Sequence, residues 1–219
     1  GALLIVDNNF MTPYLQRPLE LGADITVQSA TKFLAGHADL LAGVAATNDS
    51  DLAVQLHRGQ LVSGALLPPI DSYRLLQDVK TLALRLERQQ QNARELIDFL
   101  SARPEVEQIF YPGSSSEEQA EIQSRQARGI GSVFSLLLAE GGDAQAFARA
   151  LPIFVNAVSL GGIESLVSLP AHTTHGAYAQ EHRDEFGVDD RLVRLAIGIE
   201  DVQDLIAALE IGLKAAFAG

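Results

Sequence analysis

The chain has 219 residues, 47% hydrophobic and 20% charged, a composition typical of a globular protein with a buried core. Sixteen basic and 28 acidic residues give a net charge of −12, which argues against electrostatic binding to nucleic acid or to an anionic membrane. The sequence has no cysteine, which excludes disulfides and thiol nucleophiles, and its apolar runs are too short to span a bilayer. We therefore expect a soluble, cytoplasmic protein with no nucleic-acid and no membrane partner.

Three short strands are predicted at the start of the chain. Residues 2–6 form an uninterrupted apolar run, which is typical of a central parallel strand buried on both faces. Such a strand needs neighbours on both sides, so we expect the chain to be a piece of a longer protein. Residues 24–28 and 43–47 are the next two predicted strands.

A long amphipathic helix is predicted over residues 71–102, where apolar residues recur at three- and four-residue spacings before Pro104 ends the pattern. A helix of this length often bridges two domains. We therefore divide the chain into residues 1–72, the C-terminal part of a larger domain, and residues 73–219, the helix with a second domain.

The remainder of the chain alternates between strand and helix patterns around a polar loop at residues 114–118. The predicted strands are 106–111, 133–138, 165–169 and 192–198, and the predicted helices are 144–150 and 201–218. The fold class is therefore α/β in the first part and α+β in the second.

Asp7 and Lys32 each follow a predicted strand. If these strands are parallel neighbours, a carboxylate and an amine meet at one sheet edge, with the hydroxyls of Ser29 and Thr31 beside them. Catalysis with pyridoxal 5′-phosphate (PLP) needs this set of groups. Taken alone the spacing is weak evidence, because a strand-end Asp more often caps a turn and a lone Lys is more often solvated.

Several motifs in order strengthen this interpretation. Residues 6–14, 18–24 and 29–39 read VDNNFMTPY, PLELGAD and SATKFLAGHAD, and residues 158–166 and 193–201 read VSLGGIESL and VRLAIGIED. These segments resemble the Cys/Met-metabolism family of PLP enzymes, which holds cystathionine β-lyase, cystathionine γ-lyase, methionine γ-lyase and cystathionine γ-synthase. The resemblance covers essentially the whole chain.

The resemblance implies a fold and an assembly. The chain would be the second half of the PLP-dependent transferase fold type I large domain, a mostly parallel sheet, followed by an α+β C-terminal domain. The family forms homodimers or homotetramers with active sites shared between subunits, and its cofactor-stacking aromatic residue lies upstream of this segment.

The resemblance also implies roles at the cofactor. Lys32 would carry pyridoxal 5′-phosphate as a covalent Schiff base and move protons as the catalytic acid and base. Asp7 would pair with the pyridinium nitrogen, and Ser29 and Thr31 would bind the phosphate. Asn9 departs from the pattern, since the family usually has Thr there.

At the substrate, the resemblance implies that Arg194 grips the α-carboxylate of a sulfur amino acid and that Ser159 helps to orient that carboxylate and Lys32. Val158 is apolar where cystathionine γ-lyases have an acidic residue. His172 and His175 have a spacing that could bind metal, but no third ligand is evident, so we expect no metal site.

We therefore predict a PLP-dependent carbon–sulfur lyase acting on cystathionine, methionine or cysteine. It would deprotonate Cα and eliminate a thiol, leaving an α-keto acid and ammonia. The first alternative is cystathionine γ-synthase, a γ-replacement transferase. The second, of another class, is a non-catalytic truncated fragment that only dimerises.

Overall fold

The structure, a computed structural model, describes residues 1–218 and forms eight strands and eight α-helices within them. The strands are β1 (Ile5–Asp7), β2 (Ile25–Ser29), β3 (Gly43–Ala46), β4 (Val106–Phe110), β5 (Val133–Leu138), β6 (Val155–Asn156), β7 (Leu166–Ser168) and β8 (Leu192–Ala196). The helices are α1 (Thr12–Leu15), α2 (Ser50–Ser63), α3 (Pro69–Asp78), α4 (Leu82–Ser101), α5 (Glu117–Gln126), α6 (Ala144–Ala150), α7 (Gln180–Glu185) and α8 (Val202–Ala216).

The first three strands form one sheet in the order β1-β2-β3. β1 runs parallel to β2, with Asp7 opposite Val27, which confirms that the first two predicted strands are parallel neighbours. β3 runs antiparallel to β2, so this sheet has one parallel and one antiparallel pair. The side chains that follow β1 and β2 therefore emerge at the same edge.

The first strand differs from its prediction. It lies at the edge of the sheet rather than at its centre, and Leu4 and Ile5 are 54% and 56% exposed. Within residues 1–218 only β2 pairs with β1, which explains why its apolar side chains are not buried on both faces.

The predicted helix over residues 71–102 is two helices, α3 and α4, separated by a 3₁₀ turn at Val79–Thr81. At this break the Asp78 carbonyl accepts hydrogen bonds from the Thr81 hydroxyl (3.0 Å) and from Arg85 Nη2 (3.1 Å). The apolar spacing continues through the turn, so hydrophobic periodicity alone could not reveal the break.

Four helices were not predicted: α1, which is a single turn, and α2, α5 and α7, which carry little apolar periodicity. α2 and α5 bury no residue, and α7 is equally polar. The loop predicted at residues 114–118 is wrong at its end, where Ser116 caps α5 by accepting a hydrogen bond from the Gln119 N–H.

The second sheet has the order β4-β5-β8-β7-β6 and is antiparallel except for the β6–β7 pair. Alternate residues of β5 are buried against α4, α6 and α8, in a cluster that includes Leu136, Leu96, Phe147 and Leu209. The two sheets and the helices packed with them confirm the predicted fold class, α/β in the first part and α+β in the second. The four strands predicted in this second sheet match the observed bounds within two residues.

A smaller apolar cluster lies next to the sites described below. Phe33, Leu86 and Leu160 are buried together, so the segment after β2, the helix α4 and the segment after β6 share one core.

The division of the chain into residues 1–72 and 73–219 stays a prediction, and the last residue, Gly219, lies outside the described residues. No helix formed by residues 1–218 has the length and apolarity that crossing a membrane requires.

Candidate active site

Lys32 lies in a tight turn directly after β2. Its N–H donates to the Ser29 carbonyl at 3.2 Å, and its carbonyl accepts from the Gly36 N–H at 2.7 Å. The Ala35 N–H also donates to the Ala30 carbonyl at 2.9 Å. The backbone of Lys32 is therefore held on both sides, at the end of a strand where α/β proteins form their sites.

The Lys32 side chain reaches a distant part of the chain. Its Nζ donates a 2.9 Å hydrogen bond to Ser159 Oγ, in the segment after β6. The carbonyl of the same serine accepts a 2.7 Å hydrogen bond from Arg194 Nη2, on β8. The structure thus brings Lys32, Ser159 and Arg194 together, and all three are half-buried.

A glycine permits this close approach. Gly161 has φ +82°, and a Cβ at this position would lie 2.6 Å from the Phe33 nitrogen and 3.0 Å from the Lys32 carbonyl carbon. No real side chain fits in that space. The backbone of the serine segment therefore rests directly on the peptide that follows Lys32.

Arg194 carries a positive charge without a negative partner. Its guanidinium has no ion pair with any carboxylate of residues 1–218, and burial lowers its pKa from the ordinary arginine value. Arginine still remains protonated in proteins. A half-buried, uncompensated guanidinium beside an amine and a hydroxyl is suited to binding a carboxylate in bidentate fashion.

Asp7 and Ser29 are joined through Asn9. The Asp7 carboxylate accepts from the Asn9 N–H at 2.9 Å and from Asn9 Nδ2 at 3.1 Å. The side-chain carbonyl of Asn9 in turn accepts from the Ser29 N–H. Asn9, the residue that departs from the family pattern, therefore makes two hydrogen bonds through its side-chain amide and one through its backbone N–H, and it fixes the Asp7 carboxylate relative to the end of β2.

Five of the six predicted site residues line two cavities. Thr31, Lys32 and Ser159 line one of about 940 Å³, and Asp7 and Ser29 line another of about 760 Å³. No hydrogen bond or ion pair within residues 1–218 joins the Asp7 carboxylate to Lys32 Nζ. The two residues are connected only indirectly. Asn9 binds both the Asp7 carboxylate and the Ser29 N–H, and the Ser29 carbonyl accepts a hydrogen bond from the Lys32 N–H.

The Thr31 hydroxyl ties its turn to the segment before β3. It accepts from the Ala42 N–H at 3.0 Å, and its contact with the Ala42 carbonyl is long, at 3.4 Å. The hydroxyl proton is therefore weakly held. Ser29 Oγ makes no hydrogen bond at all within the described part of the chain.

The two histidines with metal-like spacing make other contacts. His172 Nε2 lies 3.2 Å from Gln145 Nε2, and His175 Nδ1 lies 2.9 Å from the Thr174 hydroxyl. The His175 ring also lies 5.8 Å from the Tyr178 ring. Residues 1–218 contain no cluster of three or more potential metal-ligating side chains.

Sequence reasoning did not identify four residues that shape the site. Asn9 appeared only as a departure from a pattern, and Gly161 only within the motif VSLGGIESL. Arg85 and Gln89 were not noticed, although they are polar residues on the apolar stripe of α4 and are 6% and 0% exposed. A polar residue on a core-facing helical stripe was the available signal.

Comparisons with known proteins give matches over most of the chain. The family model for the Cys/Met metabolism PLP-dependent enzymes matches residues 1–214. Over 206 residues the chain is 45% identical to cystathionine gamma-lyase of Bacillus subtilis (strain 168). This match covers 94% of this chain and 54% of that protein. Over 214 residues it is 42% identical to cystathionine beta-lyase of Lactococcus lactis subsp. cremoris, covering 98% and 56%.

A solved structure gives a close match in three dimensions. The cystathionine gamma synthase of Xanthomonas oryzae pv. oryzae, in complex with aminoacrylate and cysteine, has a TM-score of 0.93 at 40% identity. The match covers all of this chain and 57% of that one. The chain thus spans about half the length of the relatives it matches.

Proposed function

The chain belongs to the Cys/Met metabolism PLP-dependent enzyme family, and from this premise we propose that it forms part of a carbon–sulfur lyase acting on sulfur amino acids. The net reaction converts a thioether amino acid and water into a thiol, an α-keto acid and ammonia, and with cysteine the sulfur product is hydrogen sulfide. The observation that carries the proposal is the contact of Lys32 with Ser159, whose carbonyl binds Arg194. Ser159 thus connects the Lys32 amine to the Arg194 guanidinium, a cation able to hold the α-carboxylate.

The donor set of the site fits pyridoxal phosphate. Ser29 Oγ and the weakly held proton of Thr31 leave hydroxyl donors for a phosphate group. The Asp7 carboxylate, fixed by Asn9, supplies a negative charge for a protonated ring nitrogen. Lys32 supplies the amine for covalent attachment. We propose that these residues hold the cofactor.

The protein residues divide the remaining work. Pyridoxal phosphate, when bound, supplies an electron sink that lowers the pKa of the substrate Cα–H. Arg194 binds the α-carboxylate and so fixes the orientation of Cα. The Lys32 amine accepts the Cα proton and can return it elsewhere on the substrate, and the Ser159 hydroxyl keeps that amine within reach. Holding these groups in place is worth several orders of magnitude in rate.

Val158 supports a sulfur amino acid that has no distal amino group. Its side chain is 55% exposed and immediately precedes Ser159. An apolar side chain offers no hydrogen bond to the distal amino group of cystathionine, and it tolerates the methyl group of methionine. We therefore favour methionine or cysteine over cystathionine, and leave the choice between β- and γ-elimination to experiment.

Cystathionine γ-synthase is the second candidate. The observation that favours it is the TM-score of 0.93 to a solved cystathionine gamma synthase, as high as those of the solved lyases. Such a transferase would use the same Lys32 and Arg194 but would need an activated homoserine ester and cysteine.

We further propose a homodimer or homotetramer with shared active sites, located in the cytoplasm. Exposed apolar side chains on α2 and α3 support this, since Val62, Ile70 and Leu76 are 82%, 60% and 67% exposed. A non-catalytic fragment that only dimerises is the contrasting possibility, and it would bind no cofactor.

The test is an assay of the purified full-length protein with cystathionine, methionine and cysteine, measuring keto acid and ammonia. A second assay supplies an O-acylhomoserine with and without cysteine. A lyase releases keto acid from a sulfur amino acid whether or not cysteine is added. If keto acid forms only from the homoserine ester, and added cysteine converts that ester to cystathionine instead, the protein is the synthase. If no substrate reacts and no cofactor binds, the non-catalytic alternative holds.

A further inference from the structure

A row of buried polar residues runs along one face of α4. Arg85, Gln89 and Asn92 follow one another at spacings of four and three residues, which places them on the same side of the helix. They are 6%, 0% and 0% exposed. Polar groups this deeply buried are retained when they satisfy other buried polar groups, so their partners indicate what the helix face does.

Arg85 binds the turn that carries Lys32. Its Nη1 donates to the Phe33 carbonyl at 2.8 Å, and its Nη2 donates to the Leu34 carbonyl at 3.2 Å. These are the two residues that directly follow Lys32. A planar guanidinium can bridge two consecutive carbonyls, whereas an ammonium group is a single point of charge.

The guanidinium is itself fixed. The Asp78 carbonyl accepts from Arg85 Nη2 at 3.1 Å, and the Thr81 hydroxyl accepts from Arg85 Nε at 3.1 Å. Gly36 closes the other side, because a Cβ there would lie 2.0 Å from Arg85 Nη1. The arginine therefore connects the start of α4 rigidly to the lysine turn.

The next two residues of the row bind the other half of the site. Gln89 Nε2 donates to the Gly162 carbonyl at 2.7 Å, three residues after Ser159. Asn92 Nδ2 donates to the Gly198 carbonyl at 3.1 Å, just beyond the strand that carries Arg194. One helix face thus contacts the three backbone segments that bear Lys32, Ser159 and Arg194.

We infer that Arg85 and Gln89 are positioning residues that set the distance between Lys32 Nζ and Ser159 Oγ from α4. The inference rests on the proposed function only in treating Lys32 as the reactive amine. Arg85 acts on the lysine turn and Gln89 on the serine segment, so the two residues have different effects. Loss of Arg85 misplaces the amine, whereas loss of Gln89 also shifts the Ser159 carbonyl that orients Arg194.

The test uses Arg85→Lys and Gln89→Met in the full-length protein. Arg85→Lys retains the positive charge but not the planar guanidinium that binds two carbonyls, and Gln89→Met retains the side-chain length but not the amide donor. Arg94→Lys and Gln91→Met are matched controls, since both residues are exposed on the same helix. Circular dichroism and the thermal midpoint Tm identify variants that do not fold.

The first readout needs no cofactor. Trace reductive methylation of cofactor-stripped full-length protein, with peptide mass spectrometry, gives the reactivity of Lys32 relative to the chain's two exposed lysines, Lys80 and Lys214. Freeing Nζ from the serine hydroxyl raises its reactivity. We expect an increase of about threefold or more for both Arg85→Lys and Gln89→Met, and none for the controls.

The second readout is steady-state kinetics of the holoprotein. For Arg85→Lys we expect kcat to fall about tenfold with KM changed less than about twofold, because the amine moves but the carboxylate site does not. For Gln89→Met we expect KM to rise as well. This split between kcat and KM is not expected from a general loss of stability.

The inference is overturned if Lys32 reactivity in both variants equals that of the controls, even where Tm falls. If Arg85→Lys does not fold, Gln89→Met decides by the same measurement. A change in Lys32 reactivity in a protein whose cofactor is not on Lys32 would support the positioning role and contradict the proposed function. Unchanged Lys32 reactivity in an active enzyme whose cofactor is attached to Lys32 would contradict the positioning role and support the proposed function.

Discussion

Lys32 Nζ lies 2.9 Å from Ser159 Oγ, although 127 residues separate the two in the sequence. The contact joins the turn after β2 to the segment after β6, and Gly161 makes it possible by resting on the Lys32–Phe33 peptide. The site is therefore a property of how two parts of the chain pack, and variants that alter this packing should be distinguishable from variants that remove a reactive group.

Arg194→Lys tests the carboxylate site. The guanidinium has no acidic partner within residues 1–218, so its charge is available to a substrate, and lysine cannot reproduce a bidentate contact. We expect KM for the amino-acid substrate to rise about tenfold to a hundredfold, with the Kd of pyridoxal phosphate within about twofold. Steady-state kinetics and cofactor titration measure both, and Arg94→Lys is the control. Equal losses in both constants would contradict the carboxylate role.

Asp7→Asn tests the charge beside the proposed ring site. Asparagine preserves the shape of the side chain but not its negative charge, and its one amide oxygen can accept only one of the two hydrogen bonds that Asn9 donates. We expect the cofactor to stay attached and kcat to fall about a hundredfold or more, because the ring nitrogen is no longer held protonated. Absorbance of the bound cofactor and kcat are the measurements. Asp98→Asn, exposed on α4, is the control, and full activity of Asp7→Asn would rule out the assigned role.

Gly161→Ala tests the close approach of the two segments. Gly22→Ala is a matched control, since both glycines have positive φ (+82° and +98°) but a Cβ at Gly22 meets nothing within 4 Å. Both variants should lose about 1 kcal/mol from backbone strain. Gly161→Ala should lose about 1–3 kcal/mol more from the clash, and most of its activity. Urea midpoints that coincide for the two variants would contradict the packing described here.

Asp189→Asn tests a pH dependence of stability. Hydrogen bonds from the Arg191 guanidinium hold the pKa of the Asp189 carboxyl below its ordinary value. A carboxyl with a lowered folded-state pKa stabilises the protein at neutral pH, and this contribution is lost as the pH falls through that pKa. Because the side chain is 40% exposed, the effect at pH 7 should be below about 1 kcal/mol. The Tm difference between variant and wild type should shrink as the pH falls through the folded-state pKa of Asp189, and a difference that stays constant down to the lowest pH at which both fold would contradict this origin.

The strand ends were predictable from sequence because apolar runs and the polar residues that follow them are local signals. Asp7 and Lys32 could be placed at one edge once two neighbouring strands were assumed parallel, and the observed pairing agrees. The break between α3 and α4 was not predictable, because the apolar spacing passes through it.

The supports of the site were also hidden from sequence analysis. Gly161, Arg85 and Gln89 act through contacts with backbone that is distant in sequence, and such contacts leave no local pattern. The trace they leave is polar residues, Arg85, Gln89 and Asn92, on the core-facing stripe of a helix. Asn9 shows the same limit, because it departs from a family pattern yet binds both Asp7 and Ser29.

In the proposed enzyme Lys32 holds the cofactor and moves the proton. The most direct measurement is borohydride reduction of the full-length protein with pyridoxal phosphate, followed by peptide mapping, for wild type, Lys32→Ala and the control Lys80→Ala. We predict a phosphopyridoxyl mass on the Lys32 peptide of wild type and of Lys80→Ala. Lys32→Ala should show none, and its turnover should fall about a thousandfold or more. An adduct on another lysine, or turnover retained in Lys32→Ala, would contradict the account.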